Sequence, residues 1–155
     1  DLTFYLATHF MAYYAHQHLQ ALITNGPLIQ ENCLEASSLY PEAYYELGRF
    51  SIDQFNTLKM GYSVFLETLP QPDFYIYLYA PLEILMARAE SRDEPLRTTS
   101  RKLIPLMQKR LEIWTQSRID RGSLFSLDTN RINILDGNMF DAVLDQLRAN
   151  KGFPA

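Results

Sequence analysis

The stretch that most constrains the fold runs from Gln71 to Arg92, Q-P-D-F-Y-I-Y-L-Y-A-P-L-E-I-L-M-A-R-A-E-S-R. Residues 74–79 are an unbroken run of aromatic and aliphatic side chains, which is typical of a parallel strand buried on both faces. Pro81 suits the first turn of a helix, where its missing N–H is not needed, and Glu83 favours the positive end of the helix dipole. The pattern predicts a buried strand that leads directly into a helix.

The predicted helix brings two guanidinium groups together. Apolar residues recur at helical spacing after the proline, and Arg88 and Arg92 lie one turn apart. Such a pair suits phosphate oxygens, which arginine binds bidentately. The alternative is an ordinary strand–helix unit whose arginines are solvated and pair at the surface with Glu90, Asp93 or Glu94, at little gain in energy.

Composition limits the class of protein. With 155 residues, 47% of them hydrophobic and 21% charged, the chain is expected to fold as a single domain over residues 1–155. A net charge of −4 argues against a nucleic-acid partner. No apolar run reaches the roughly 20 residues of a membrane span, and no signal peptide is visible. The single cysteine, Cys33, excludes an internal disulfide and favours an intracellular, reducing location.

The rest of the sequence alternates between helical and strand patterns. The predicted elements are a helix from Leu2 to Ile23, a strand from Pro27 to Gln30, a short helix from Pro41 to Leu47 stopped by Gly48, a helix from Ile52 to about Leu69 capped by Ser51, a helix from Leu103 to Arg118, a strand from Leu124 to Asp128, and a helix from Met139 to Ala149 capped by Asn138. The polar run from Asp93 to Arg101 has the composition of a mobile lid. This order predicts an α/β layered fold with a parallel sheet.

These motifs resemble the P-loop nucleoside and nucleotide kinases, most closely the deoxynucleoside kinases. The P-D-F-Y-I-Y-L strand, the Pro81–Glu83 helix start and the arginines that follow are similar to that family's strand and lid, here at about 88–102. The resemblance implies a three-layer α/β/α kinase fold with a parallel sheet. No G-x-x-x-x-G-K-S/T sequence is present, so the first strand, P-loop and helix of that fold are expected to be missing from these residues.

The resemblance also carries candidate site residues. Q-E-N-C resembles the family's Glu-Arg-Ser at a strand end, where Glu31 would serve Mg²⁺ and catalysis. Y-E-L-G resembles Tyr-Glu-x-Gly, which places Tyr45 and Glu46 at the sugar of a nucleoside. Arg88 and Arg92 would close on the phosphates of ATP. The segment L-D-T-N, residues 127–130, resembles the family's closing strand.

Other family residues are replaced. Leu2 stands where the family has a base-reading glutamine, and His9 where it has an arginine that also contacts the nucleoside. Asn32 replaces the arginine beside Glu31, and Ser37 replaces an aspartate that helps bind the base. Glu94 replaces a third lid arginine, which reverses the charge that ATP phosphates require. The pattern is that of a kinase scaffold kept for packing while its chemistry is lost.

Two functions remain open at this stage. The first is a non-catalytic subunit of a larger assembly or a homodimer, similar in kind to the kinase-like accessory subunit of mitochondrial respiratory complex I, on the matrix side; no cofactor is then certain. The second is a deoxynucleoside kinase seen as a fragment, which would be cytoplasmic and use ATP and Mg²⁺ to phosphorylate the 5′-hydroxyl of a nucleoside.

Simpler interpretations stand beside the candidate sites. Glu31 could be a carboxylate bonded to a helix N-terminus. His9, His16 and His18 share a helix, but a zinc site would need further ligands. Cys33 is expected to be a buried, inert thiol rather than a reactive one.

Overall fold

The computed structural model describes residues 2–24, 29–91, 97–119, 123–132, 141, 143–145 and 148–149, with the backbone alone described at 97–100. The chain divides into two compact units, Asp1–Gln71 and Pro72–Ala155, here called the first and the second unit. The prediction of a single domain over 1–155 stays a prediction. In chain order the elements are α1 (Leu2–Ile23), α2 (Leu34–Ser37), α3 (Tyr40–Glu46), α4 (Ile52–Thr68), β1 (Tyr75–Tyr79), α5 (Leu82–Ser91), α6 (Arg97–Ile119) and β2 (Leu124–Asp128).

The first unit is helical and has its core between α1, α2 and α4. Ala15, Leu34 and Tyr62 are buried together, with partly buried apolar side chains packed around them. Gly61 allows α4 to lie close to α1, because a Cβ at this position would be 2.8 Å from the sulfur of Met11. The predicted bounds of α1 are confirmed.

Local signals set the ends of the shorter helices. Gly48 follows α3 with a φ of 66°, a left-handed conformation that glycine adopts without strain. Ser51 and Gln54 form a reciprocal capping box at the start of α4. Both features agree with the predicted stop at Gly48 and the predicted cap at Ser51.

The strand predicted from Pro27 to Gln30 is not formed where the chain is described. Pro27 and Leu28 lie outside the described residues, and Ile29 and Gln30 belong to no strand. A strand is defined by its hydrogen-bonded neighbour, and the two strands of the described residues pair with each other in the second unit. The apolar run indicated an extended chain, but it did not show whether a second strand lies beside it.

The second unit contains a parallel two-stranded sheet. β1 pairs with β2 in a register that sets Tyr75 opposite Leu124 and Tyr79 opposite Asp128. The Tyr75 ring meets Trp114 of α6 edge-on at 5.2 Å, and the Arg118 guanidinium lies over both rings. The parallel strands and helices confirm the predicted α/β class.

The prediction that β1 is buried on both faces is wrong. Tyr75 is buried, but Ile76 and Leu78, which point to the opposite face of the strand, remain 43% and 50% exposed. Helix α6 covers the Tyr75 face, and within the described residues the Ile76 face has less cover. A continuous apolar run shows which side chains can be buried, and the neighbouring elements decide which of them are.

The predicted start at Leu103 of the helix that follows the lid is also wrong, whereas the lid itself stays a prediction. Helix α6 begins at Arg97, six residues before the predicted start, so part of the predicted lid is helical and Pro105 lies inside the helix rather than in its first turn. Pro105 cannot donate to the carbonyl of Arg101, but Arg101 is exposed and its carbonyl can face water. An ion pair of 3.1 Å from Arg101 to Glu90 of α5 adds a contact at this end. The polar composition of this segment was therefore not sufficient to identify it as a loop.

The last predicted helix falls partly outside the described residues. Residues 138–140, including its predicted cap Asn138, are not described, whereas Asp141, residues 143–145 and residues 148–149 are helical. Val143 is buried together with Leu127 of β2.

Candidate functional site

Glu31 lies in a short loop in which both of its neighbours, Gln30 and Asn32, hydrogen-bond to α1. The Gln30 side-chain amide donates to the carbonyl of Tyr14 at 3.4 Å, and the Asn32 amide donates to the Tyr14 hydroxyl at 3.1 Å. Gln30 also donates to the carbonyl of Asn32 at 3.3 Å, which closes the loop on itself. Asn32 has a φ of 62°, a conformation that asparagine tolerates better than most residues. The Glu31 side chain is thereby left exposed between two anchored neighbours.

Asn32 is the residue that replaces the family's arginine. Its amide is neutral and bonded to Tyr14, so this position supplies no positive charge to a phosphate. Ser37, at the place of the base-binding aspartate, is only 2% exposed on α2. A hydroxyl buried to that extent is not presented to a ligand in this structure. Leu2, at the place of the glutamine, is exposed and apolar.

Cys33 begins α2 and behaves as a protonated thiol. Its sulfur accepts from the N–H of Ala36 at 3.4 Å and caps the short helix. Burial raises the pKa of Cys33 to about 11, and the nearby Glu35 carboxylate contributes to this shift because its negative charge disfavours the thiolate. The thiol is therefore not nucleophilic at neutral pH.

The three histidines of α1 are in different environments. His18 is 7% exposed, and its Nε2 hydrogen-bonds to the carbonyl of Pro70. His9 and His16 are exposed, and the His9 ring stacks on Tyr13 with centroids 6.4 Å apart. In the described part of the chain, no three His, Cys, Asp or Glu side chains are grouped to hold a metal ion.

Tyr45 and Glu46, the predicted sugar-binding residues, end helix α3. The Tyr45 ring stacks on Phe55 of α4 at 4.9 Å, and the Lys59 ammonium lies 5.7 Å from the centre of the same Phe55 ring. The structure thus gives Tyr45 a packing contact between α3 and α4. Glu46 is exposed. The role of Tyr45 and Glu46 in binding the sugar of a nucleoside stays a prediction.

Arg88 in the second unit is held at the carboxyl end of the sheet. Its Nη1 donates to the Thr129 hydroxyl at 3.0 Å, and its Nη2 donates to the Thr129 carbonyl at 2.9 Å. Both the backbone N–H and the hydroxyl of Thr129 donate to the carbonyl of Tyr79. Ligands of open parallel sheets bind at this end of the strands. A guanidinium has five N–H groups, so Arg88 could bind a phosphate oxygen while keeping the two bonds to Thr129.

The segment that follows β2 is a compact turn. The Asp128 carboxylate accepts from the N–H of Asn130 at 3.0 Å and lies 3.3 Å from the Nε of Arg131. This turn fixes the position of Thr129, and through Thr129 that of Arg88. The sequence resemblance had marked L-D-T-N as a family segment but had not linked it to Arg88.

Only some of the other residues of the predicted lid belong to the described part of the chain. Arg92, predicted to bind phosphate, and Glu94, predicted to oppose it, lie outside the described residues. Glu90 pairs with Arg101 of α6 rather than with Arg88. Because Glu31, His9, Tyr45 and Glu46 belong to the first unit and Arg88 to the second, their joint use in one site stays a prediction.

Sequence reasoning missed two anchors, Tyr14 and Thr129. Both are ordinary polar residues whose partners lie far along the chain, 18 residues away for Tyr14 and Asn32, and 41 for Arg88 and Thr129. Asn32 bonds to Tyr14 and Arg88 bonds to Thr129. In the sequence, the one indication of these contacts is that Asn32 and Arg88 lie in segments that resemble family motifs.

Comparison with known families identifies the chain. The deoxynucleoside kinase family model matches residues 1–150, nearly the whole chain. Comparison with curated proteins and with solved structures gives no match. Among the described residues, none of the helices combines the length and hydropathy that crossing a bilayer requires. The chain belongs to the deoxynucleoside kinase family.

Proposed function

We propose that this chain is part of a kinase-fold protein that acts as a non-catalytic subunit of a larger protein assembly. The observation that carries the proposal is at Asn32. In the family an arginine beside the catalytic glutamate stabilises the negative charge that develops on the transferring phosphate. Here a neutral amide replaces it and is bonded to Tyr14, so the position helps to fix the loop.

Other replaced positions support the same function. Ser37 is buried where the family presents a carboxylate to the base, and Leu2 offers no hydrogen bond to a base edge. The His9 ring is stacked on Tyr13. The buried Ser37 hydroxyl and the apolar Leu2 side chain are therefore poorly suited to recognition of a nucleoside. The assembly and its compartment, for which the mitochondrial complex I subunit is the precedent, follow from the resemblance alone.

A second candidate, ATP-dependent phosphorylation of a deoxynucleoside, is favoured by Arg88 and Glu31. Arg88 is fixed at the strand ends with N–H groups left for an anion. Glu31 is an exposed carboxylate, and Mg²⁺ in kinase sites needs only one or two carboxylates in addition to the substrate phosphates. In that case Glu31 would hold the metal ion, which would neutralise charge on the phosphates, and Arg88 would orient them.

Calorimetry on the longest natural form of the protein separates these functions. ATP with Mg²⁺ is titrated first, and then a panel of deoxynucleosides. We expect no binding from a well-folded sample. Micromolar binding that weakens at least ~10-fold in both Arg88→Ala and Glu31→Gln would contradict the proposal and support the kinase. Arg101→Ala, which changes an exposed arginine paired with Glu90, is the matched control.

A further inference from the structure

The Arg88 guanidinium binds Thr129 through the two terminal nitrogens with which arginine binds a phosphate end-on. Nη1 donates to the Thr129 hydroxyl at 3.0 Å, and Nη2 donates to the carbonyl of the same residue at 2.9 Å. When arginine binds a carboxylate or a phosphate bidentately, two oxygens of one group likewise face its two nitrogens. Thr129 therefore offers Arg88 a pair of oxygens from within the chain.

The hydroxyl of Thr129 is oriented to accept from Arg88. It donates to the carbonyl of Tyr79 at 2.9 Å, and the backbone N–H of Thr129 donates to the same carbonyl at 2.8 Å. A hydroxyl has one proton, so a hydroxyl that donates to Tyr79 can only accept from Arg88. The two bonds to Tyr79 also fix Thr129 at the carboxyl end of β1. Arg88 is thus bonded to an acceptor that is held in place.

These bonds do not neutralise the charge of Arg88. Both oxygens of Thr129 are neutral, and Glu90, the acidic residue nearest to Arg88 in the sequence, pairs with Arg101 at 3.1 Å. Arg88 is exposed, so its positive charge faces solvent at the end of the sheet where ligands of open parallel sheets bind. The charge attracts anions while the two terminal nitrogens are occupied.

We propose that Thr129 is an autoinhibitory substitute for an oxyanion at Arg88. A phosphate group that binds end-on through both terminal nitrogens must first displace the hydroxyl and the carbonyl of Thr129. The remaining N–H groups can reach a single oxygen, but a single bond lacks the strength of the bidentate pair. Hydrogen bonds to charged acceptors are about twice as strong as those to neutral ones. A polyphosphate therefore displaces Thr129 at a cost in affinity.

This contact goes beyond the proposed function and does not depend on it. In a non-catalytic subunit it weakens phosphate binding at the end of the sheet, and in a kinase the phosphates of ATP would displace it. Binding and transfer by the natural protein test the function. The change in affinity on removal of the Thr129 hydroxyl tests the contact, so that either idea can fail alone.

Calorimetric titration of the full-length natural protein and its variants with tripolyphosphate tests the proposal. Low ionic strength is used because salt screens the attraction of an exposed charge. Thr129→Val removes the hydroxyl at nearly constant shape and should raise the affinity about 2- to 5-fold, the factor that corresponds to one exposed hydrogen bond. Thr129→Ser keeps the hydroxyl and should bind as the natural protein does. The matched control is Thr57→Val, at an exposed threonine whose hydroxyl also donates to a carbonyl, and it should not change the affinity.

The gain should depend on Arg88. Adding Arg88→Ala to Thr129→Val should abolish it, and a gain that persists without Arg88 would overturn the proposal. Binding to Thr129→Val that is undetectable, unchanged or weaker than in the natural protein would overturn it too. Weaker binding would mean that Thr129 positions Arg88 for the anion instead of competing with the anion.

A second measurement needs no variant and decides if Thr129→Val loses its helical circular dichroism. Phenylglyoxal modifies arginine at its two terminal nitrogens, and the modified residues are located by mass spectrometry of peptides. In the natural protein Arg88, with both nitrogens bonded to Thr129, should react more slowly than Arg101, whose ion pair with Glu90 uses Nη2. Reaction of Arg88 as fast as that of Arg101, or faster, would overturn the proposal.

Discussion

Arg88 donates two hydrogen bonds to one residue, Thr129, through its two terminal nitrogens at 3.0 and 2.9 Å. The contact joins the C-terminal half of α5 to the turn after β2, 41 residues further along the chain. Thr129 is in turn bonded to the carbonyl of Tyr79 at the end of β1. A residue expected to bind phosphate therefore also holds the carboxyl end of the sheet together.

The coupling between Arg88 and Thr129 can be measured with a double-mutant cycle. Arg88→Ala, Thr129→Val and the double variant are compared by urea unfolding. Because the hydrogen bonds are exposed to solvent, we expect a coupling free energy of about 0.5–1 kcal/mol. The same cycle on Arg101 and Glu90, a single exposed ion pair, should give less. Coupling of zero at Arg88 would mean that its hydrogen bond to the Thr129 hydroxyl is not maintained in solution.

The reactivity of Cys33 should report its raised pKa. With the pKa raised from 9.0 to about 11, the thiolate fraction at pH 8 is ~100-fold lower than that of an ordinary cysteine, and alkylation by iodoacetamide should be slower to a similar degree. Glu35→Gln removes a negative charge that disfavours the thiolate, so it should lower the pKa and speed alkylation. Glu31→Gln, a change at an exposed carboxylate, is the control. Alkylation of the natural protein as fast as that of free cysteine would contradict the raised pKa of Cys33.

Gly48 should resist substitution because of its backbone conformation. Its φ is 66°, and beyond its chain neighbours no atom lies within 4 Å of the place that a Cβ would occupy, so a new side chain meets no clash and only the backbone is strained. Gly48→Ala should lower the free energy of unfolding by about 1 kcal/mol, and Gly48→Asn by less, because asparagine tolerates the left-handed region. Equal stability of the alanine variant and the natural protein would contradict this conformation.

The capping box of α4 gives a prediction about one hydroxyl. Ser51→Ala removes the acceptor for the N–H of Gln54, at 3.2 Å, and should destabilise the protein by about 1 kcal/mol in thermal or urea unfolding. Ser63→Ala, on the exposed side of the same helix, should be neutral or slightly stabilising because alanine favours a helix. The cap would be unimportant if the two variants unfolded alike.

Features set by neighbouring residues in the sequence were predictable. The bounds of α1 followed from its periodicity, the start of α4 from Ser51, and the end of α3 from Gly48. Each depends on contacts within a few residues, which a sequence pattern records directly. The α/β class followed in the same way, from the order of these elements.

Features that depend on distant contacts were not predictable. The start of α6 at Arg97 lies in a polar run that resembled a loop. The exposure of Ile76 and Leu78 depends on what covers each face of β1. The anchors Tyr14 and Thr129 bond to partners brought near by folding. A sequence pattern does not show which distant residues become neighbours in the folded protein.

The most direct test of a non-catalytic function is the transfer of the γ-phosphate of ATP to a panel of deoxynucleosides, measured with the longest natural form of the protein. We predict no transfer above the background without enzyme, from a sample whose folding is verified by circular dichroism. Transfer to any nucleoside that is lost in Glu31→Gln and retained in the control Glu67→Gln would contradict the account, and would make the chain part of an active deoxynucleoside kinase.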